Sequence, residues 1–158
     1  MIRKHDLLFM AATALALAAI GGAWFSELVM GFVPCMLCLW ERWPYYIGLP
    51  VALLAFGVRT TRAFPLLCWA LVLVFVASAG LGAWHAGVEW KLFTAPDCGG
   101  RIGGAGSLED FQKSLSRARV VLCDEAPMRI LGLSFACWNA VVSVMIAALY
   151  GLSARRKA

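Results

Sequence analysis

Four long apolar stretches leave this chain no water-soluble fold in which all of them are buried. Leu7 to Phe25 runs 19 residues without a charge, close to the roughly 20 that a helix needs to cross a bilayer. Pro65 to His85 is a second such run, and Ile130 to Tyr150 a third, interrupted only by Asn139. With 62% of residues hydrophobic and 15% charged, the chain falls well short of the roughly 25% charged residues of soluble domains. Its mean hydropathy of +0.79 leaves too little polar surface to coat a core. The apolar excess needs lipid. Arg3 and Lys4 before the first run, and Gly21, Gly22 and Ala23 at its end, also suit a secretory signal peptide, but 19 residues exceed the apolar core of about 7 to 15 in such a peptide.

The fourth stretch is too short alone. Pro44 to Val58 has 15 uncharged residues and rises only about 22 Å as a helix, against a hydrocarbon core of roughly 30 Å. A helix begun near Pro34 completes the span and carries Glu41 and Arg42 into the outer part of the membrane, where charge is normally retained for a purpose. Snorkelling of Arg42 to the interface is the plainer alternative. The expected fold is therefore an all-α integral membrane protein, one domain over 1–158. Its four-transmembrane-helix bundle has spans at about 7–25, 40–58, 65–85 and 130–150.

Charge sets the orientation. Arg3, Lys4, Arg59, Arg62, Arg155, Arg156 and Lys157 fall on one side of the bundle with one acid, Asp6, whereas the other side holds the remaining seven basic residues and eight acids. The positive-inside rule places both termini in the cytoplasm and two loops, about 26–39 and 86–129, outside. The net charge of +5 then reflects topology. The basic residues form no aromatic-interleaved run, so a nucleic-acid partner is not expected. Within the long outer loop, Ser107 and Asp110 fit a capping box, and Leu108, Phe111, Leu115, Ala118 and Leu122 form one stripe opposite Lys113, Arg117 and Arg119. This predicts a short amphipathic helix on the membrane surface.

The six cysteines divide by side. Cys68 and Cys137 lie inside spans, where a thiol behaves as a small hydrophobe, while Cys35, Cys38, Cys98 and Cys123 lie in the two outer loops. In bacteria that outer compartment is oxidising, and the natural pairs are Cys35 with Cys38 and Cys98 with Cys123. Cys35-Met36-Leu37-Cys38 is a C-x-x-C, the spacing of a small, reducible ring. Pro34 suits a first helical turn, so both thiols are expected to feel the positive end of a helix dipole, with Arg42 one turn beyond Cys38. Both effects favour thiolate, while Glu41 opposes them unless Arg42 pairs with it. A zinc site is not expected, since Cys98 and Cys123 are not a second C-x-x-C and there are only two histidines. A c-type haem would need His after Cys38, where Leu39 stands. Two structural disulfides are the fairer rival, but a structural staple has no need of a charge held at membrane depth.

Pro34-Cys35-Met36-Leu37-Cys38-Leu39-Trp40-Glu41-Arg42 resembles the P-C-x-L-C-x-x-E/Q-R signature of the disulfide bond formation protein B (DsbB) family. The resemblance extends over nearly the whole chain, through the four spans, the second cysteine pair and Leu131-Gly132-Leu133-Ser134 at the start of span four. It implies a bacterial inner-membrane enzyme that reoxidises a periplasmic DsbA-like dithiol oxidase and reduces a membrane quinone, ubiquinone or menaquinone. It further implies that the partner attacks Cys98, with Cys123 as its disulfide mate, that Cys35 exchanges with Cys123, and that Cys38 faces the quinone. Arg42 resembles the quinone-site arginine, and His85 a further residue on the quinone side. A paralogue serving one dedicated thiol oxidase is an alternative within the same chemistry; a membrane scaffold with structural disulfides is one outside it.

Overall fold

The computed structural model describes residues 4–94, 123, 124, 126 and 128–155. Cys98 and the expected amphipathic helix lie outside the described residues. Helix α1 spans Lys4–Leu28, α2 Met36–Trp40, α3 Trp43–Gly57 and α4 Ala63–Glu89. A two-stranded antiparallel hairpin, β1 (Arg129–Ile130) and β2 (Leu133–Ser134), then leads into α5, Phe135–Ala154. Helices α1, α4 and α5 each have the length and apolar character to cross a membrane; α3 is shorter, at 15 residues.

The continuous helix expected from Pro34 is broken. Cys35 is the N-cap of α2, with extended backbone, so Pro34 stands outside the helix rather than in its first turn. After five residues the chain turns at Glu41 and Arg42 before α3 begins. Pro44 explains the break, because it cannot donate to the carbonyl one turn back and is favoured where a helix starts. Pro50, by contrast, is carried inside α3.

The last span also starts later than the apolar run. Leu131 and Gly132 both take positive φ, +53° and +82°, the pairing that a two-residue type I′ hairpin turn demands. Ser134 then caps α5 by accepting from the Cys137 amide at 3.3 Å. The Trp138 indole N–H donates to Ile130 O at 3.0 Å and fastens the hairpin to the helix. At the other boundary, α4 runs one turn past its expected end at His85. It closes in a Schellman motif, with Leu92 N donating to Gly87 O at 2.8 Å, Lys91 N donating to Val88 O at 2.9 Å, and Lys91 at φ +59°. The extension places Glu89 one turn below His85.

Helices α1, α3, α4 and α5 each contribute an aromatic ring or small residue to one core. Phe9 of α1 sits 5.3 Å from both Phe64 of α4 and Tyr150 of α5, and Phe75 of α4 bridges Tyr150 and Tyr45 of α3 at 5.9 and 5.4 Å. Polar groups buried among them are paired across helices, as burial requires. Tyr45 OH donates to Asn139 Oδ1 at 2.7 Å, and Ser143 Oγ donates to Ser78 Oγ at 2.9 Å. Helices α4 and α5 approach closely at Gly82, where a Cβ would lie 2.9 Å from Ala140 N and 3.0 Å from Ala136 O. Such close contact at small residues is how helices associate in lipid. The outer surface bears exposed Leu17, Leu53, Leu66 and Leu73, as a bilayer-facing surface should.

Candidate functional site

The α2 turn forms because Cys35 supplies a cap. Its sulfur accepts from the Cys38 backbone N–H at 3.1 Å, which fixes both sulfurs on one side of the short helix. Both cysteines are free thiols. Cys35 is buried and Cys38 partly so. The Cys35 thiol is pushed above the ordinary cysteine range, first by its hydrogen bond with the Cys38 side chain and then by burial, with His85 pulling the other way. The expected lowering at the start of a helix therefore does not hold for Cys35: five residues build little dipole, and the neighbouring sulfur and apolar surroundings outweigh it.

Helix α4 brings the other half of the site. His85 Nε2 lies 3.6 Å from Cys35 Sγ, and His85 Nδ1 lies 2.7 Å from Glu41 Oε1. All three side chains are buried. The order Glu41–His85–Cys35 is that of a carboxylate orienting an imidazole against a sulfur. Glu89, on the same helix, is buried with Oε2 unpartnered among the described residues. Arg42 takes a different partner from the one its position suggests: Nη1 donates to Glu27 Oε2 of α1 at 2.5 Å. Glu41 thus goes to His85 and Arg42 to Glu27, because the turn at 41–42 sends these adjacent side chains to different helices.

These groups surround one cavity of about 390 Å³ between α1, the α2–α3 turn, α4 and α5, within the roughly 300–1,000 Å³ of small-molecule sites. Its wall is mostly apolar and includes Ala19, Ala23, Phe135 and Val142. Cys35, Cys38, Glu41, Arg42, His85 and Glu89 supply polar groups to the wall, as do Tyr45 and Asn139. Asn139 Nδ2 is a second buried atom without a partner among the described residues, while its Oδ1 is held by Tyr45.

Of the residues singled out in the sequence, Cys35, Cys38, Arg42 and His85 meet at this cavity. Cys123 is buried in a cluster with Cys35, Leu37 and Val88, so a long-loop cysteine comes to the side of the C-x-x-C. Cys98 lies outside the described residues. Sequence reasoning missed Glu27, Glu89 and Asn139. Glu89 stands four residues after His85 and Asn139 is the one carboxamide in the last apolar run, which are the signals that would have pointed to them.

Comparison with known proteins gives matches over most of the length. The family described as "Disulfide bond formation protein DsbB" matches residues 5–153. Disulfide bond formation protein B 1 of Pseudomonas fluorescens (strain Pf0-1) is 32% identical over 157 residues, covering 91% of this chain and 87% of the relative. The protein of the same name from strain Pf-5 is 29% identical, covering 90% and 85%. The uncharacterized protein RP370 of Rickettsia prowazekii is 22% identical, covering 94% and 87%. No solved structure matches.

Proposed function

Since this chain belongs to the disulfide bond formation protein B (DsbB) family, and so to the membrane oxidoreductases of disulfide formation, we propose that it reoxidises a DsbA-like dithiol oxidase and passes the electrons to a membrane quinone. The observation that carries this reading is the placement of the Cys35 and Cys38 thiols on the wall of an apolar cavity beside Arg42 and His85. A flat ring with two carbonyl oxygens needs apolar walls and a few donors. Asn139 Nδ2, buried without a partner among the described residues, and the guanidinium N–H groups that Arg42 does not commit to Glu27 suit that need. The residues fit the group. A bound quinone, ubiquinone or menaquinone, would supply a two-electron, two-proton acceptor.

The relay balances at each exchange. A thiolate of the partner attacks Cys98 of a Cys98–Cys123 disulfide, and the partner's second thiolate displaces Cys98, leaving the partner oxidised and this pair reduced. The Cys123 thiolate then attacks Cys35 of a Cys35–Cys38 disulfide, and Cys98 resolves the bridge, which leaves two thiols at the cavity. Re-forming the Cys35–Cys38 bond releases two electrons and two protons. Cys35 must first lose its proton, and His85 Nε2 is the base at 3.6 Å, its other nitrogen held by Glu41. Arg42, through the N–H groups it does not commit to Glu27, anchors negative charge developing in the cavity.

In this reading α2 and α3 together make the fourth span, both termini are cytoplasmic, and the cysteine loops face the periplasm of a bacterial inner membrane. The test is turnover of the purified chain with reduced DsbA-like partner and a defined quinone, followed by quinone absorbance. Quinone loss matched by partner oxidation is expected. Partner oxidation without quinone loss would overturn the proposal.

A further inference from the structure

The cysteine spacing in the sequence offers no zinc site, but the fold adds a ligand that spacing cannot show. Cys35 Sγ, Cys38 Sγ and a ring nitrogen of His85 all lie within 4.8 Å of one another. Around a tetrahedral zinc ion, with bonds of about 2.3 Å to sulfur and 2.0–2.1 Å to nitrogen, neighbouring ligand atoms sit roughly 3.5–3.8 Å apart. The 3.6 Å between Cys35 Sγ and His85 Nε2 already has that value, and no separation within the trio exceeds 4.8 Å.

Two further observations point to a cation. His85 meets Glu41 through Nδ1 at 2.7 Å, the carboxylate–histidine arrangement that fixes the tautomer and raises the basicity of a metal-binding imidazole. Glu89, also buried on the cavity wall, holds an oxygen with no partner among the described residues, an atom that a cation in the cavity would satisfy. Arg42 is the nearby group that would repel a cation, and Glu27 already neutralises it.

We propose that the reduced Cys35–Cys38 pair and His85 form a Zn²⁺ site, with Glu41 as the positioning residue behind the histidine. Binding replaces two thiol protons with one metal ion; the protons pass to solvent and no electrons move. The disulfide form has no thiolate to offer, so the site exists in the reduced state alone. Zn²⁺ therefore holds the pair reduced and competes with its oxidation. The inference rests on the proposed redox cycling of this pair.

The test uses the full chain in detergent micelles, reduced, then freed of reductant and quinone, with Co²⁺ as an optical probe. One equivalent should produce a thiolate-to-cobalt charge-transfer band that one equivalent of Zn²⁺ abolishes, and the oxidised chain should give none. Zn²⁺ should also protect Cys35 and Cys38 from iodoacetamide. Glu41→Gln should weaken binding about 10- to 100-fold, and His85→Ala at least as much. The inference is overturned if the reduced parent gives no band, if the band survives Cys35→Ser with Cys38→Ser, or if His85→Ala binds as tightly as the parent. The comparison of reduced with oxidised parent needs no variant to fold. Metal-free quinone reduction on the same preparation separates the two claims: reduction without metal binding sinks only this inference, and metal binding without reduction sinks only the proposed function.

Discussion

Arg42 Nη1 lies 2.5 Å from Glu27 Oε2, an ion pair that ties the end of α1 to the turn between α2 and α3. It decides what Arg42 can do. The arginine is mostly buried and Glu27 one-third exposed, with side-chain exposures of 11% and 33%, and the pair holds the guanidinium at the cavity wall.

Glu27→Gln keeps the shape and removes the charge that holds Arg42. A hydrogen bond to a charged group contributes about 1.5–3 kcal/mol, and the exposure of Glu27 places this one at the low end. The quinone KM should rise roughly tenfold, while exchange between partner and chain changes little. Arg42→Gln should raise it further, with Arg42→Lys a partial rescue because Lys keeps charge but loses the donor fork. Quinone titration alongside single-turnover partner exchange checks both. An unchanged KM in Arg42→Gln would mean that the arginine only snorkels.

Cys35 carries its proton above the ordinary cysteine range. A thiol is neutral below its pKa, so the reactive fraction of Cys35 grows as pH rises and is still growing past roughly pH 10, where the thiolate fraction of a free cysteine of pKa about 8.5 has levelled off. Iodoacetamide labelling of the reduced chain, resolved by mass spectrometry, should show this climb. A plateau below that pH contradicts it.

Gly82→Ala should destabilise the bundle by about 1–3 kcal/mol, as overpacking does, because the new methyl meets backbone atoms of α5 at 2.9 and 3.0 Å. Gly80, on the same helix, has nothing within 4 Å, so Gly80→Ala should be neutral or slightly stabilising. Thermal unfolding in one detergent distinguishes the two.

Cys68 is fully buried in the main core and Cys137 packs with Ala86 and Ala136. Replacing either by Ala should leave turnover within a few-fold of the parent, since each contributes packing. Loss of quinone reduction in a folded variant would give one of them a role in the relay.

The apolar runs and the nonapeptide from Pro34 to Arg42 were legible because both are local: hydropathy marks a span, and adjacent residues mark a redox motif. Pairing across helices was not. Glu41 and Arg42 are neighbours in the chain, yet the turn before Pro44 sends one to His85 and the other to Glu27, and no spacing rule joins residues 44 or 15 positions apart. The hairpin before α5 was hidden for another reason: Ile130, Leu131 and Leu133 read as apolar span, and only the positive φ at Leu131 and Gly132 shows a turn. Glu89 falls in the expected outer loop because a charge ends an apolar run, yet it is buried in the last turn of α4.

The central claim, that Cys35 and Cys38 give their electrons to a quinone in the adjoining cavity, is tested most directly in a single turnover without any partner. The reduced chain, with Cys98 and Cys123 replaced by Ser, is mixed anaerobically with one equivalent of quinone. One quinone reduced per chain, with a Cys35–Cys38 disulfide identified by mass spectrometry, is the predicted result; quinone left oxidised beside two free thiols would contradict it.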